Sequence, residues 1–231
     1  MTTNEILCNA VLSSDIEKGL DDAVRNFSIK KNLANRPMQD YLAALQRHCV
    51  RVCSERALIR FLHNHGVSHN FALASEARKR IYEKICLIGE TRVRLITYQL
   101  PDTFSKAHHA LEAMALVANA KRANLWHDRE QFDRYVFVFF AGNLRISLRQ
   151  TLSDLLRPSG TIARESVIAE SNQCVTYVTA APTVQQCEKL FQPVAAGSKC
   201  VQFPEGAPLE FAGCAVRQLT AFRRVVSWGG V

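Results

Sequence analysis

The chain has 231 residues, 48% of them hydrophobic and 22% charged, enough to bury one substantial core as a single domain or a domain with extensions. Lysine and arginine outnumber acids 29 to 21, and the formal net charge of +8 points toward polyanionic partners, nucleic acid or an acidic membrane surface. No run approaches the roughly 18 apolar residues needed to span a bilayer, and YVFVFF (Tyr135 to Phe140) is far too short, so a spanning helix is excluded.

Cysteines stand at 8, 49, 53, 86, 174, 187, 200 and 214, with no CxxC among them. The first residues, MTTNEILCNAVLSSDIEKG, lack the basic start and long apolar stretch of a signal peptide. The expectation is a soluble, intracellular protein whose thiols are free and mostly buried.

Residues 1–37 read as an N-terminal extension, with a short amphipathic segment (Ile6 to Phe27) followed by the basic stretch SIKKNLANRP. Pro37 marks the start of a main domain. From Met38 to His65 the pattern is helical: Leu42, Leu45, Cys49, Val52, Leu58, Ile59 and Leu62 recur at steps of three and four. Gly66 follows as a C-cap, with His63 and His65 in the last turn. A second helix is expected over about Phe71 to Leu87, carrying Arg78, Lys79, Arg80 and Lys84. TRVRLITYQLP reads as a short strand ended by Pro101. Ser105 to Asn124 is expected as a third helix and Phe132 to Leu156 as a fourth. Beyond residue 168, CVTYVTAAPTV, KCVQFPEGAP and LEFAGC suggest turns and short strands in a C-terminal extension, 169–231. The expected fold is therefore all-α: an antiparallel four-helix bundle over 38–168 with one short strand element.

In the expected fourth helix, Leu144, Leu148, Leu152 and Leu155 share one face, and Arg145 and Arg149 sit a turn apart on the neighbouring face. Ser153 and Arg157 continue that line, and Arg164 lies just past a Pro-Ser-Gly break. Like charges at this spacing repel, and Asp154 can neutralise one at most. Two readings stand side by side. One is a solvated basic face; the other is a row whose missing negative charge comes from phosphates gripped by guanidinium forks.

The order Arg145, Asp154, Leu155-Leu156, Arg157, Gly160, Arg164, Ser166 resembles the most characteristic region of tobamovirus-type coat proteins. LIRFLHNHGVSHNFALASEARKRI is similar to that family's first long helix, turn and second helix, including the pair Ala77-Arg78. QLPDTF resembles its Phe-Pro-Asp element, and HALEAMALVANAKRANLW its third helix with a terminal basic pair. The resemblance covers about residues 55–168. It implies a capsid subunit, not an enzyme, that needs no cofactor and polymerises with itself into a helical rod around single-stranded RNA. The implied location is the virion, and the host cytoplasm during assembly. RNA contacts would fall to Lys121, Arg122, Arg145, Gln150, Arg157 and Arg164, with Arg149 added from its place beside Arg145. The family's intersubunit carboxylates would correspond to Glu112 with Glu83 or Glu90, where repulsion raises a pKa and weak Ca²⁺ binding follows.

Two departures stand out: VFVFFAGN occupies positions where the family carries charge, and both termini are longer than the family's. The principal alternative is a cellular all-α regulator of helix-turn-helix type, dimeric on duplex DNA, built on LIRFLHNHGVSHNFALASEARKRI. A helical scaffold without nucleic acid is a third. A zinc site on Cys49, Cys53, His63, His65 and His69 is less well supported than core thiols and a helix end. Ser153-Asp154 lacks a positioned histidine, so a hydrolase triad has no support, and the sequence holds no Gly-rich phosphate loop.

Overall fold

The computed structural model describes residues 1–26, 38–71, 83–104, 106–118, 131–149 and 164–226. Among these, β1 (Leu7–Ala10) leads into α1 (Ser13–Asn26). The Asp15 carboxylate accepts the Leu12 backbone N–H at 3.0 Å and so secures the entry to α1. Ile16, Leu20, Ala23 and Val24 make one buried stripe on this helix. The long helix α2 (Met38–Asn64) has 27 residues and is about 40 Å long at 1.5 Å per residue.

Strands β2 (His69–Asn70), β3 (Glu83–Ile88) and β4 (Thr91–Gln99) form an antiparallel meander. The short helix α3 (Ala107–Glu112) and β5 (Met114–Ala118) precede the long β6 (Arg134–Leu148), which returns to β4 in parallel register. Strand β7 (Val167–Val178) pairs antiparallel with both β6 and β1. Helix α4 (Val184–Leu190), β8 (Gln192–Val194), β9 (Phe211–Ala215) and α5 (Phe222–Val226) complete the described chain.

The strands form two sheets, a mixed one ordered β1-β7-β6-β4-β3-β2 and a small antiparallel one ordered β5-β9-β8. Helix α2 lies across one face of the large sheet. Its first half packs with α1 over Phe140, Leu144, Ile146, Val167 and Cys174. Its second half brings Leu58 and Leu62 onto Val93, Leu95, Val136, Val138 and Val178. The opposite face carries the small sheet, where Tyr135, Phe137 and Phe139 meet Leu116, Phe191 and Phe211. A strand covered on both faces is apolar at every position, and Tyr135 to Ala141 are all buried.

This three-layer mixed architecture overturns the all-α expectation, and with it the four-helix bundle. The helix expected over Phe132 to Leu156 is strand β6 as far as Leu148. Its sequence mixes β-branched and aromatic residues and alternates cleanly in Leu144-Arg145-Ile146-Ser147-Leu148-Arg149. A spacing of four puts residues on one face of a strand as well as one face of a helix, so Leu144 with Leu148 and Arg145 with Arg149 did not discriminate. Ile146 and Ser147, which extend each row at the spacing of two, were the discriminating residues.

The expected third helix is confined to Ala107–Glu112, after which Met114–Ala118 pairs with β9. In the expected second helix, residues 72–82 lie outside the described residues and Glu83–Ile88 is strand β3. The helix expected from Met38 and the strand expected after Glu90 are present. Strand β1, from the N-terminal 37 residues, and β7, which crosses position 168, lie side by side in the central sheet.

Candidate nucleic-acid interface

The arginine row sits on the outer end of the β6–β7 hairpin. Strand β4 accompanies β6 only as far as the Gln99–Phe140 pair, and the register shifts between Ala141 and Asn143. Gly142 makes this bulge with a φ of 109°; a β-carbon there would stand 2.7 Å from the Gln173 carbonyl oxygen. Beyond the bulge, Asn143–Leu148 pairs with Val167–Asn172. Leu144 and Ile146 turn inward onto α1 and α2, which leaves Arg145, Ser147 and Arg149 as an exposed outward row. Neighbours in this row are about 7 Å apart along the strand, and Arg145 and Arg149 about 13 Å. The Arg149 N–H donates to the Ser166 carbonyl at 2.9 Å, one bond beyond the Leu148–Val167 pair.

The protein supplies acids near part of this row. Glu170 is the cross-strand partner of Arg145, and Asp102 lies 3.9 Å from its guanidinium. Both groups of that ion pair are more than half exposed, so water and salt screen it heavily. Arg164 has a different role. It donates to Asp21 at 2.8 Å, to Glu17, and to the Val167 carbonyl at 3.1 Å, and so clasps the start of β7 to α1. Its charge is committed internally.

Lys121, Arg122, Gln150 and Arg157 lie outside the described residues. Of the three acids, Glu90 stands in the turn entering β4, Glu112 ends α3, and Glu83 opens β3 opposite Ile96. Glu90 and Glu112 are exposed.

Cys49 and Cys53, one turn apart on α2, hold their sulfurs 3.9 Å from each other and donate to the carbonyls of Ile16 and Asp15. Their contact, reinforced by burial, pushes the Cys53 thiol up from its ordinary value. The Nδ1 of His65 lies 2.8 Å from the Phe61 carbonyl and that of His69 2.8 Å from the Val67 carbonyl. Among the described residues, no group of three or more His, Cys, Asp or Glu side chains could hold a metal ion.

An ionic seam between α1 and α2 was not singled out from the sequence. Asp15, 1% exposed, accepts from Arg56 at 3.2 Å and from Arg60 at 2.6 Å. His48 Nε2 lies 2.7 Å from Asp22, and Arg51 reaches Glu55 at 3.3 Å. The available signal was local: Arg51-x3-Glu55 and Arg56-x3-Arg60 place charge one turn apart, as do Lys18-x3-Asp22 and Asp21-x3-Arg25.

The fold and these surfaces define a mixed three-layer protein with a long helix spanning a curled sheet. The chain matches no protein-family model, no curated protein and no solved structure. Among the described residues no helix is long and apolar enough to cross a membrane.

Proposed function

We propose that this protein is a non-enzymatic binder of nucleic-acid phosphate backbone, and that the tip of the β6–β7 hairpin is one of its contacts. The observation that carries this reading is the outward row Arg145, Ser147, Arg149, whose neighbours Leu144 and Ile146 are packed inward while β6 pairs with β7. Two fork-shaped donors on an extended backbone suit an extended polyanion. No aromatic residue shares the row, so the binding is electrostatic and indifferent to base sequence. The basic runs Lys30-Lys31, Arg78-Lys79-Arg80 and Lys121-Arg122 add sequence-level support. Assembly into a rod by a radial helix is no part of the proposal, because Arg145, which that helix was to carry, rides on strand β6.

The test is fluorescence anisotropy of a labelled single-stranded RNA, with duplex DNA as the comparison, across a series of salt concentrations. Affinity should fall steeply with salt, and Arg145→Ala with Arg149→Ala should weaken binding and reduce the log–log salt slope by about one to two. Salt-insensitive binding, no binding, or an unchanged slope in the folded double variant would overturn the reading.

A further inference from the structure

The outer side of the α1–α2 seam holds an open cleft of about 320 Å³, lined from both helices. Its cations are Lys18 and Arg25 from α1 and Arg51 and Arg56 from α2; its acids are Asp21, Asp22 and Glu55. The acids already have partners. Asp21 accepts from Arg164 at 2.8 Å, Asp22 meets His48 at 2.7 Å, and Glu55 accepts from Arg51 at 3.3 Å.

The cations are committed less fully. Arg56 lines the cleft, is 43% exposed, and pairs with Asp15 through Nε. Lys18 and Arg25 are exposed, and among the described residues neither is in an ion pair. On an isolated helix, Asp22 would face Lys18 and Asp21 would face Arg25 at a spacing of four. Here His48 and Arg164 draw those two carboxylates into tertiary pairs.

We infer that the α1–α2 cleft is a binding site for a phosphate-bearing anion, with Lys18 and Arg25 as its outer donors and Arg56 as its inner one. The chemistry required is that of an oxyanion with several acceptor oxygens, because the cleft offers one ammonium and guanidinium forks while its carboxylates are occupied. Carboxylates at Asp21, Asp22 and Glu55 disfavour a bare, deeply inserted anion and favour one held at the rim. A free phosphorylated small molecule and a backbone phosphate of a nucleic-acid strand share this chemistry. The site is separate from the hairpin row and does not rest on it.

The experiment is isothermal titration of the full chain with inorganic pyrophosphate, then with a single-stranded RNA. It compares wild type, the Lys18→Ala/Arg25→Ala variant and the Arg145→Ala/Arg149→Ala variant. Lys18 and Arg25 are exposed side chains, so the first variant should retain its thermal transition, and circular dichroism checks that. Pyrophosphate affinity should fall at least roughly tenfold in Lys18→Ala/Arg25→Ala, the loss expected for removing charged donors. It should persist in Arg145→Ala/Arg149→Ala, which separates this inference from the hairpin reading. If RNA affinity falls in parallel, the occupant is a backbone phosphate; if RNA affinity is unchanged, it is a free phosphorylated ligand. No pyrophosphate binding by wild type, or equal binding by wild type and the folded Lys18→Ala/Arg25→Ala variant, would overturn the inference.

Discussion

Arg60 reaches across from α2 to donate to the Asp15 carboxylate at 2.6 Å, joining two helices from positions 45 residues apart in sequence. Arg56 donates to the other carboxylate oxygen at 3.2 Å, and the Leu12 N–H donates as well. Asp15 is thus a buried acid with three donors, two of them charged. Replacing it with alanine strands both guanidinium groups beside an apolar helix junction. Because those groups are 43% and 32% exposed, water recovers part of the loss. Asp15→Ala should therefore cost about 2–4 kcal/mol in urea unfolding, somewhat below the loss for a fully buried pair. Asp15→Asn keeps an acceptor for Leu12 and should cost less. Equal midpoints for wild type and Asp15→Ala would show that the arginines are solvated equally well without it.

Gly19 lets α1 approach α2 closely. A β-carbon there would stand 2.9 Å from the Cys53 sulfur and 3.0 Å from the Cys49 carbonyl oxygen. The sulfur can shift, but the carbonyl belongs to the helix backbone. Gly19→Ala should destabilise by about 1–3 kcal/mol through overpacking. Adding Cys53→Ala should recover only part of this, because the carbonyl clash remains. A double-mutant cycle from denaturant unfolding measures the coupling, and strict additivity would contradict the packing account.

His48 makes stability depend on pH. Burial lowers its pKa below 6.5, and Arg51, 3.4 Å from the same Nε2, also lowers it, while Asp22 at 2.7 Å opposes the shift. The folded form therefore binds its proton less readily than the unfolded chain. Well above 6.5 both states are neutral at this residue and it adds no pH slope. As pH falls below 6.5 the unfolded chain takes up the proton first, so stability declines until the folded pKa is reached. His48→Gln should flatten that part of the curve of unfolding free energy against pH. The same slope in both proteins would assign the effect to other groups.

Gln202 completes the edge of β5. Its amide oxygen accepts the Met114 N–H at 3.2 Å and its amide nitrogen donates to the Met114 carbonyl at 2.6 Å, as a neighbouring strand would. At 5% exposure, water replaces these bonds poorly. Gln202→Ala should cost about 1–3 kcal/mol. Gln202→Glu keeps the acceptor but sets a carboxylate against the Met114 carbonyl, so it should rescue less than a full amide. Hydrogen exchange at the Met114 amide should speed up in both variants, and unchanged exchange would mean that Gln202 contributes little to this edge.

The long helix and strand β4 were legible because their signals are local. In α2 the apolar residues Leu45, Cys49, Leu58 and Leu62 repeat at helical steps over 27 residues. In Thr91–Gln99 the β-branched residues end at a leucine and proline. The hairpin was misread because Leu144 with Leu148, and Arg145 with Arg149, satisfy helix and strand alike. Short apolar runs such as Ala113 to Val117 carry too few residues to decide between the two. As for the candidate sites, the exposure of Arg145 and Arg149 was expected, but the commitment of Arg164 to Glu17 and Asp21 was not. No spacing in the sequence connects residues 143 positions apart.

By itself the sequence determined a basic chain with a long helix from Met38, a strand at Thr91, and an alternating apolar and cationic segment after Gly142. These depend on side-chain type and neighbour spacing, which are local properties. The tertiary structure decided that β6 is a strand, because β4 on one edge and β7 on the other satisfy its backbone while α2 and the small sheet cover its two faces. It also decided which charges are available. Pairing across long sequence separations occupies Arg60, Arg164, Asp21 and Asp22, and leaves Lys18, Arg25 and Arg149 exposed toward solvent.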